Sequence, residues 1–162
     1  MPRALNSHCQ VEMDGAAYSI GGLDDDGLCL NSVYKLEHGS AELAAVSSLN
    51  TARWGHSCAV LDSRIYVMGG YGLNTVEVYD PASDTWTYGP VLPTYHSYMA
   101  QAIAYGGTVY YIDGYDSHKV YSYTPGPGAE WKTLPGVSVS YSGRPIFPAP
   151  VVTTDTLFCV NQ

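Results

Sequence analysis

RIYVMGGYGLNTVEVYDPASDTW, residues 64–86, holds an apolar run, a glycine pair, a second strand-like run, an Asp-Pro turn and a tryptophan. Its glycines, Gly69 and Gly70 with Gly72 close behind, fit two architectures. A phosphate-cradling loop sets such glycines between a strand and the first turn of a helix, whose donors and dipole hold the anion. Here they lead into TVEVYD, which alternates like a strand. They therefore read as punctuation at a strand end, where glycine tolerates positive φ and leaves room for a neighbouring side chain.

The punctuation recurs. Gly21-Gly22 closes AAYSIGG, Gly69-Gly70 closes RIYVMGG and Asp113-Gly114 closes TVYYIDG, at spacings of 48 and 44 residues. After each pair comes a β-branched residue followed by tyrosine: Val33-Tyr34, Val78-Tyr79 and Val120-Tyr121. Trp86 and Trp131 stand 45 residues apart, with Leu43 as a weaker counterpart in the first unit. Ahead of each pair, SHCQVEMDG, GHSCAVLDS and MAQAIAYGG are apolar runs ending in turn signals. One unit thus holds four short strands, A to D, and APVVTTDTLFCV begins another with A and B.

Four short antiparallel strands repeated every ~40 to 50 residues mark a β-propeller blade. The expected fold is all-β, with blades at about residues 5–49, 53–93 and 97–136 and half a blade at about 145–162. Faces of neighbouring blades bury each other, which assigns a structural role to Gly21, Gly22, Gly69, Gly70, Gly114, Tyr34, Tyr79, Tyr121, Trp86 and Trp131. The least secure strand is D of the first blade, SAELAAVSSL, whose Ala, Glu and Leu also suit a helix.

Composition agrees. Of 162 residues, 46% are hydrophobic and only 14% charged, with 15 Tyr, 17 Gly and 10 Pro, a mixture of strand and turn formers sized for one domain. Seven Lys+Arg against 15 Asp+Glu give a net charge of −8, which repels phosphate backbones and anionic lipid, so neither nucleic acid nor a membrane is an expected partner. MPRALNSHCQVEMDG carries no apolar run of signal-peptide length, and a soluble, cytoplasmic chain is expected. Cys9, Cys29, Cys58 and Cys159 are scattered without C-x-x-C pairs, so they are expected to be reduced and structural.

Chemical motifs are sparse. Asp80-Pro81-Ala82-Ser83-Asp84 fits a type I turn rather than a catalytic carboxylate pair. GGLDDDGL, residues 21–28, clusters three acids but lacks the spaced ligands and bidentate Glu of a calcium loop, and reads as a solvated loop suited to a basic partner. His8, His38, His56, His96 and His118 show no metal-ligand spacing. His56, Ser57 and Asp62 fall in one strand and its turn, without a nucleophile elbow. No catalytic residue, metal ligand or cofactor is expected.

These residues together resemble the kelch repeat: Arg53 before strand A, His8 and His56 in it, a glycine pair closing strand B, Val78 to Pro81 in strand C and a Trp opening strand D. The likeness covers about residues 3–162 and is closest in the second unit; the third has Asp113 for the first glycine and Ala100 at the His place, and the first lacks the Trp. Kelch propellers close with more blades than the three and a half present. The resemblance therefore implies a piece of a longer propeller, a ring completed by two copies, or an arc whose exposed edges favour self-association.

It also implies a non-catalytic module that binds a protein or peptide, such as the substrate-recognition part of a cullin-type ubiquitin ligase adaptor or a cytoskeletal binder. The alternative is a propeller enzyme with a sugar- or metal-binding centre, of galactose-oxidase or mutarotase type. In kelch adaptors the partner docks on the B-to-C and D-to-A loops. Carried onto this sequence, the first set offers Tyr71, Asn74, Tyr115 and His118, and the second offers Arg53, Trp54, Tyr95, His96, Tyr141 and Arg144. Arginines at the Arg53 and Arg144 places have a second implied role, bracing the junction between blades.

Overall fold

Alternating runs bounded by glycine and Asp-Pro signals form strands throughout the chain. A computed structural model of the protein describes residues 6–95, 100–114 and 119–135, and the backbone of 136–138, 150–153 and 156–159. The first blade is β1 (Cys9–Met13), β2 (Ala16–Leu23), β3 (Cys29–Glu37) and β4 (Leu43–Val46). The second is β5 (Ser57–Leu61), β6 (Arg64–Met68), β7 (Val76–Asp80) and β8 (Thr85–Tyr88). The third is β9 (Gln101–Tyr105), β10 (Thr108–Ile112), β11 (Lys119–Tyr123) and β12 (Lys132–Ser138), and β13 (Pro150–Thr153) pairs with β14 (Thr156–Cys159).

Within each blade every strand pairs antiparallel with its sequence neighbour. The Ala- and Glu-rich segment after residue 40 is strand, with Ala45 opposite Tyr34. Pairing with β3 overrides its helical propensity, as tertiary context commonly does. Among the described residues there is no helix. The opening strands of successive blades lie side by side, β1 against β5, β5 against β9 and β9 against β13. The result is the arc of an all-β propeller, with three blades and half of a fourth.

Two seams hold the core. Between blades 1 and 2, Tyr18, Ile20 and Val33 meet Ile65, Val67, Tyr79 and Trp86. Between blades 2 and 3, Tyr66, Met68 and Val76 meet Val109, Tyr111 and Tyr121. Aromatic packing repeats across them: Tyr18 lies edge-on to Tyr79 at 6.0 Å, and Tyr66 lies 6.2 Å from Tyr123. The indoles of Trp86 and Trp131 reach back into the preceding blade, Trp86 Nε1 donating to the Ser47 carbonyl at 2.8 Å and Trp131 Nε1 to the Pro90 carbonyl at 2.9 Å. A bulky apolar ring is thereby buried while its one polar group stays satisfied.

Register corrects the sequence alignment in strand C. Ile20 faces Val33, Met68 faces Val76 and Ile112 faces Val120, so these three valines are the equivalent ones. Tyr34 and Tyr121 then correspond to Glu77, and the counterpart of Tyr79 in blade 3 is Tyr123, which pairs with Val109 as Tyr79 pairs with Ile65. Tyr123 also takes the tryptophan, with Trp131 at 5.2 Å as Trp86 is 4.9 Å from Tyr79. In blade 1 Leu36 takes the place of Tyr79, and the residue opposite it, matching Trp86 in register, is Leu43, the expected weaker counterpart, which is half exposed. A Val-Tyr pair recurs two residues farther along in blade 2, so matching by residue type lands one pleat too late.

The cysteines also depart from expectation. Cys9 on β1 and Cys58 on β5 are joined as a disulfide across the first seam, with their Cα atoms 6.2 Å apart. They are not equivalent in the repeat, since Cys9 matches Ser57. Alternate residues of a strand face opposite ways, so the one-residue offset turns both sulfurs into the seam, Cys9 from blade 1 and Cys58 from blade 2. Cys29 is a free thiol, raised above its ordinary pKa chiefly by burial.

Candidate functional site

Antiparallel alternation gathers the B-to-C and D-to-A connections at one end of the arc. The hydrogen bonds there repeat from blade to blade. Leu23 N donates to the Asn6 carbonyl at 2.8 Å, and Tyr71 N donates to the Trp54 carbonyl at 3.0 Å. Leu49 N and Leu92 N likewise donate to the carbonyls of Asn31 and Asn74, at 2.9 and 2.8 Å. Asn74, expected as a contact residue, thus has its backbone engaged in loop architecture.

The glycine pairs of blades 1 and 2 let the loop between those blades pass close by. Gly21 has φ +58, and a Cβ on it would lie 2.8 Å from the Arg53 carbonyl and 3.0 Å from His56 Cε1. Gly70 has φ +119, with the Trp54 carbonyl 3.1 Å from the same imagined atom. Side chains here would carry both backbone strain and collision.

Arg53 is withdrawn from the set of contact residues. Its side chain is fully buried, and its guanidinium meets Glu77 at 2.6 Å, the Gly69 carbonyl at 2.7 Å and the Thr75 carbonyl at 3.1 Å. Glu77, equally buried, also accepts from Asn50 N at 2.7 Å, Asn50 Nδ2 at 3.0 Å and Thr51 N at 3.1 Å. The pair clamps the blade 1 to blade 2 connection onto strand β7. Sequence reasoning passed over Glu77, although an acid inside VEV, on the pleat that is tyrosine in the other blades, was the available signal.

Above this clamp stands an aromatic pair. Trp54 and Tyr71 stack with centroids 4.9 Å apart and planes 20° from parallel, and Tyr71 is 63% exposed. Tyr95 and Leu28, on neighbouring loops of the same end, are also largely exposed. Beside Leu28, the Asp24 carboxylate accepts from the amides of Asp26 and Leu28 at 3.0 and 2.8 Å, which shapes the acidic loop from within. His96, Tyr115, His118, Tyr141 and Arg144 lie outside the described residues. Beneath the loops His56 is 7% exposed, and burial, then the charge of Arg53, lowers its pKa to about 3. In the next junction Thr94 Oγ1 donates to the buried Asp113 carboxylate at 2.9 Å.

Comparison with known proteins follows the same lines. The Kelch motif family model matches residues 52–92. An F-box/kelch-repeat protein of Arabidopsis thaliana is 33% identical over 127 residues, covering 68% of this chain and 32% of the relative. Kelch repeat and BTB domain-containing protein 12 of Danio rerio is 28% identical over 145 residues, with 73% and 23% covered. Beta-scruin of Limulus polyphemus is 31% identical over 132 residues, with 74% and 14% covered. The chain spans a third or less of these relatives' lengths. With its glycine-punctuated four-stranded blades, its tryptophan-closed seams and these matches, the chain belongs to the kelch-repeat β-propeller proteins.

Proposed function

We propose that this arc is a non-catalytic protein-interaction module that grips a peptide or protein partner on the loop end centred on Trp54 and Tyr71. One observation carries the reading: a stacked aromatic pair, Tyr71 exposed and Trp54 half-buried beneath it, standing on loops that a buried ion pair clamps. Rigid aromatics offer large contact area at low entropic cost and dominate interface energetics. Tyr95 and Leu28 widen the apolar patch, and the Asp24 to Asp26 loop favours a partner with basic residues.

In a longer protein of F-box or BTB type, such a module would serve as the substrate-recognition part of a cullin-type ubiquitin ligase adaptor, working in the cytoplasm. Panning a displayed peptide library on the chain tests the docking surface. Selected binders should lose about tenfold or more in affinity with Tyr71→Ala or Trp54→Ala. Tyr105→Ala, an exposed tyrosine at the far end of β9, should leave them unchanged. Binders indifferent to the loop pair and sensitive to Tyr105 would overturn the proposal.

A further inference from the structure

The first seam contains a cluster that the interaction surface does not use. The Sγ atoms of Cys9 and Cys58 and a ring nitrogen of His56 all lie within 4.8 Å of one another. His56 is only 7% exposed, and neither ring nitrogen makes a hydrogen bond of good geometry, the Ile20 backbone being its one nearby partner. Buried polar groups are rarely left so, and each instance asks for a reason.

The blade repeat supplies none. The equivalent position is His8 in blade 1, whose Nε2 meets Gln10 Nε2 at 2.9 Å, and Ala100 in blade 3, which is buried without any polar group. A seam of this kind therefore closes without an imidazole. At His56 the ring is accommodated by Gly21, where a Cβ would press on Cε1 at 3.0 Å.

We propose that Cys9, His56 and Cys58 form, in the reduced protein, a binding site for a thiophilic d10 cation, Cu(I). Two equivalents of a thiol, which become their own disulfide, or one phosphine with one water, which become the phosphine oxide, supply two electrons and two protons to the Cys9–Cys58 disulfide and leave two thiols; metal binding then expels two protons to solvent. The 6.2 Å Cα separation of the cysteines fits chelation as well as a disulfide. Metal–sulfur bonds of about 2.3 Å and metal–nitrogen bonds of about 2.0 Å place donor atoms about 3.5 to 4.0 Å apart, within the span of the cluster. The two thiolates are soft donors that favour Cu(I) and imidazole also suits copper, and among the described residues no fourth His, Cys, Asp or Glu joins them, whereas structural zinc takes four. The ion would bridge blades 1 and 2 and give the His56 ring a well-aligned partner.

The test uses the full 162-residue chain, kept anaerobic in a phosphine reductant and titrated with Cu(I) against bicinchoninate. One equivalent should be retained, with X-ray absorption showing two sulfur neighbours and one nitrogen. Cys9→Ser and Cys58→Ser should each weaken binding by about a hundredfold, and Cys29→Ser should leave it unaltered. His56→Ala should lose the nitrogen neighbour; because that variant can fail to fold, the absorption spectrum of the unmutated protein decides on its own. Failure to hold Cu(I) against the competitor, retention by the Cys9→Ser and Cys58→Ser double variant, or Zn(II) bound where Cu(I) is not, would each overturn the assignment.

Discussion

The Arg53 guanidinium lies 2.6 Å from the Glu77 carboxylate, and both side chains are fully shielded from solvent. Neither charge has water to fall back on, so Asn50, Thr51, Gly69 and Thr75 meet most of the remaining lone pairs and protons, with Arg53 Nε alone of the guanidinium nitrogens left without a partner. Removing one partner of such a pair leaves an uncompensated buried charge. Arg53→Met should therefore cost about 3 to 5 kcal/mol, and combining it with Glu77→Leu should recover part of that loss. Urea unfolding of the two variants checks the order; equal stability of Arg53→Met and the unaltered chain would refute the clamp.

Trp86 does two separable things in the first seam, filling it and bonding to Ser47. Trp86→Phe keeps most of the ring and orphans the Ser47 carbonyl, a loss of about 1 to 2 kcal/mol. Trp86→Ala also leaves a cavity, for about 3 to 5 kcal/mol in all. Denaturant midpoints should fall in that sequence.

Gly21 and Gly15 both have positive φ, but only Gly21 is crowded, with the Arg53 carbonyl 2.8 Å from where a Cβ would sit. Gly15→Ala should cost about 1 kcal/mol through backbone strain alone, and Gly21→Ala at least about twice as much. Similar melting temperatures for the two variants would show that the close approach is unimportant.

Acid should loosen the first seam through Asp84. Its carboxylate accepts from Ser47 N at 3.0 Å and from the Tyr79 hydroxyl at 2.8 Å, and these bonds, the first most of all, hold its pKa below the ordinary 3.8. A folded-state pKa below the unfolded one adds stability that is complete above 3.8 and is lost as pH falls through the lower value. Asp84→Asn should thus melt earlier than the unaltered chain at about pH 6, and the two curves should converge toward about pH 2. A gap that widens in acid would contradict this sign.

Much of the fold was legible because glycine pairs mark a backbone requirement that few other residues meet. The Gly21-Gly22 and Gly69-Gly70 pairs therefore gave the right phase for strand B in each unit. Strand C was less legible, since tyrosine is abundant and Val78-Tyr79 imitates Val33-Tyr34 and Val120-Tyr121 while lying one pleat farther along. At the loop end, exposed Tyr71 and its partner Trp54 were readable from their place beside the repeat. The burial of Arg53 depended on Glu77, an acid whose meaning appears only when strand β7 is laid beside the incoming loop. The Cys9–Cys58 pairing was out of reach for a related reason: it joins non-equivalent positions of two blades, and repeat alignment compares only equivalent ones.

The indole bonds from Trp86 to Ser47 and from Trp131 to Pro90 both run from a later blade to an earlier one. That polarity matters on the ribosome, where the chain emerges from its amino end. Each acceptor carbonyl has been synthesised before the tryptophan that seeks it. These two seams can accordingly close as soon as the later blade of each is made, and assembly of the described blades becomes a vectorial process favoured by the direction of two hydrogen bonds.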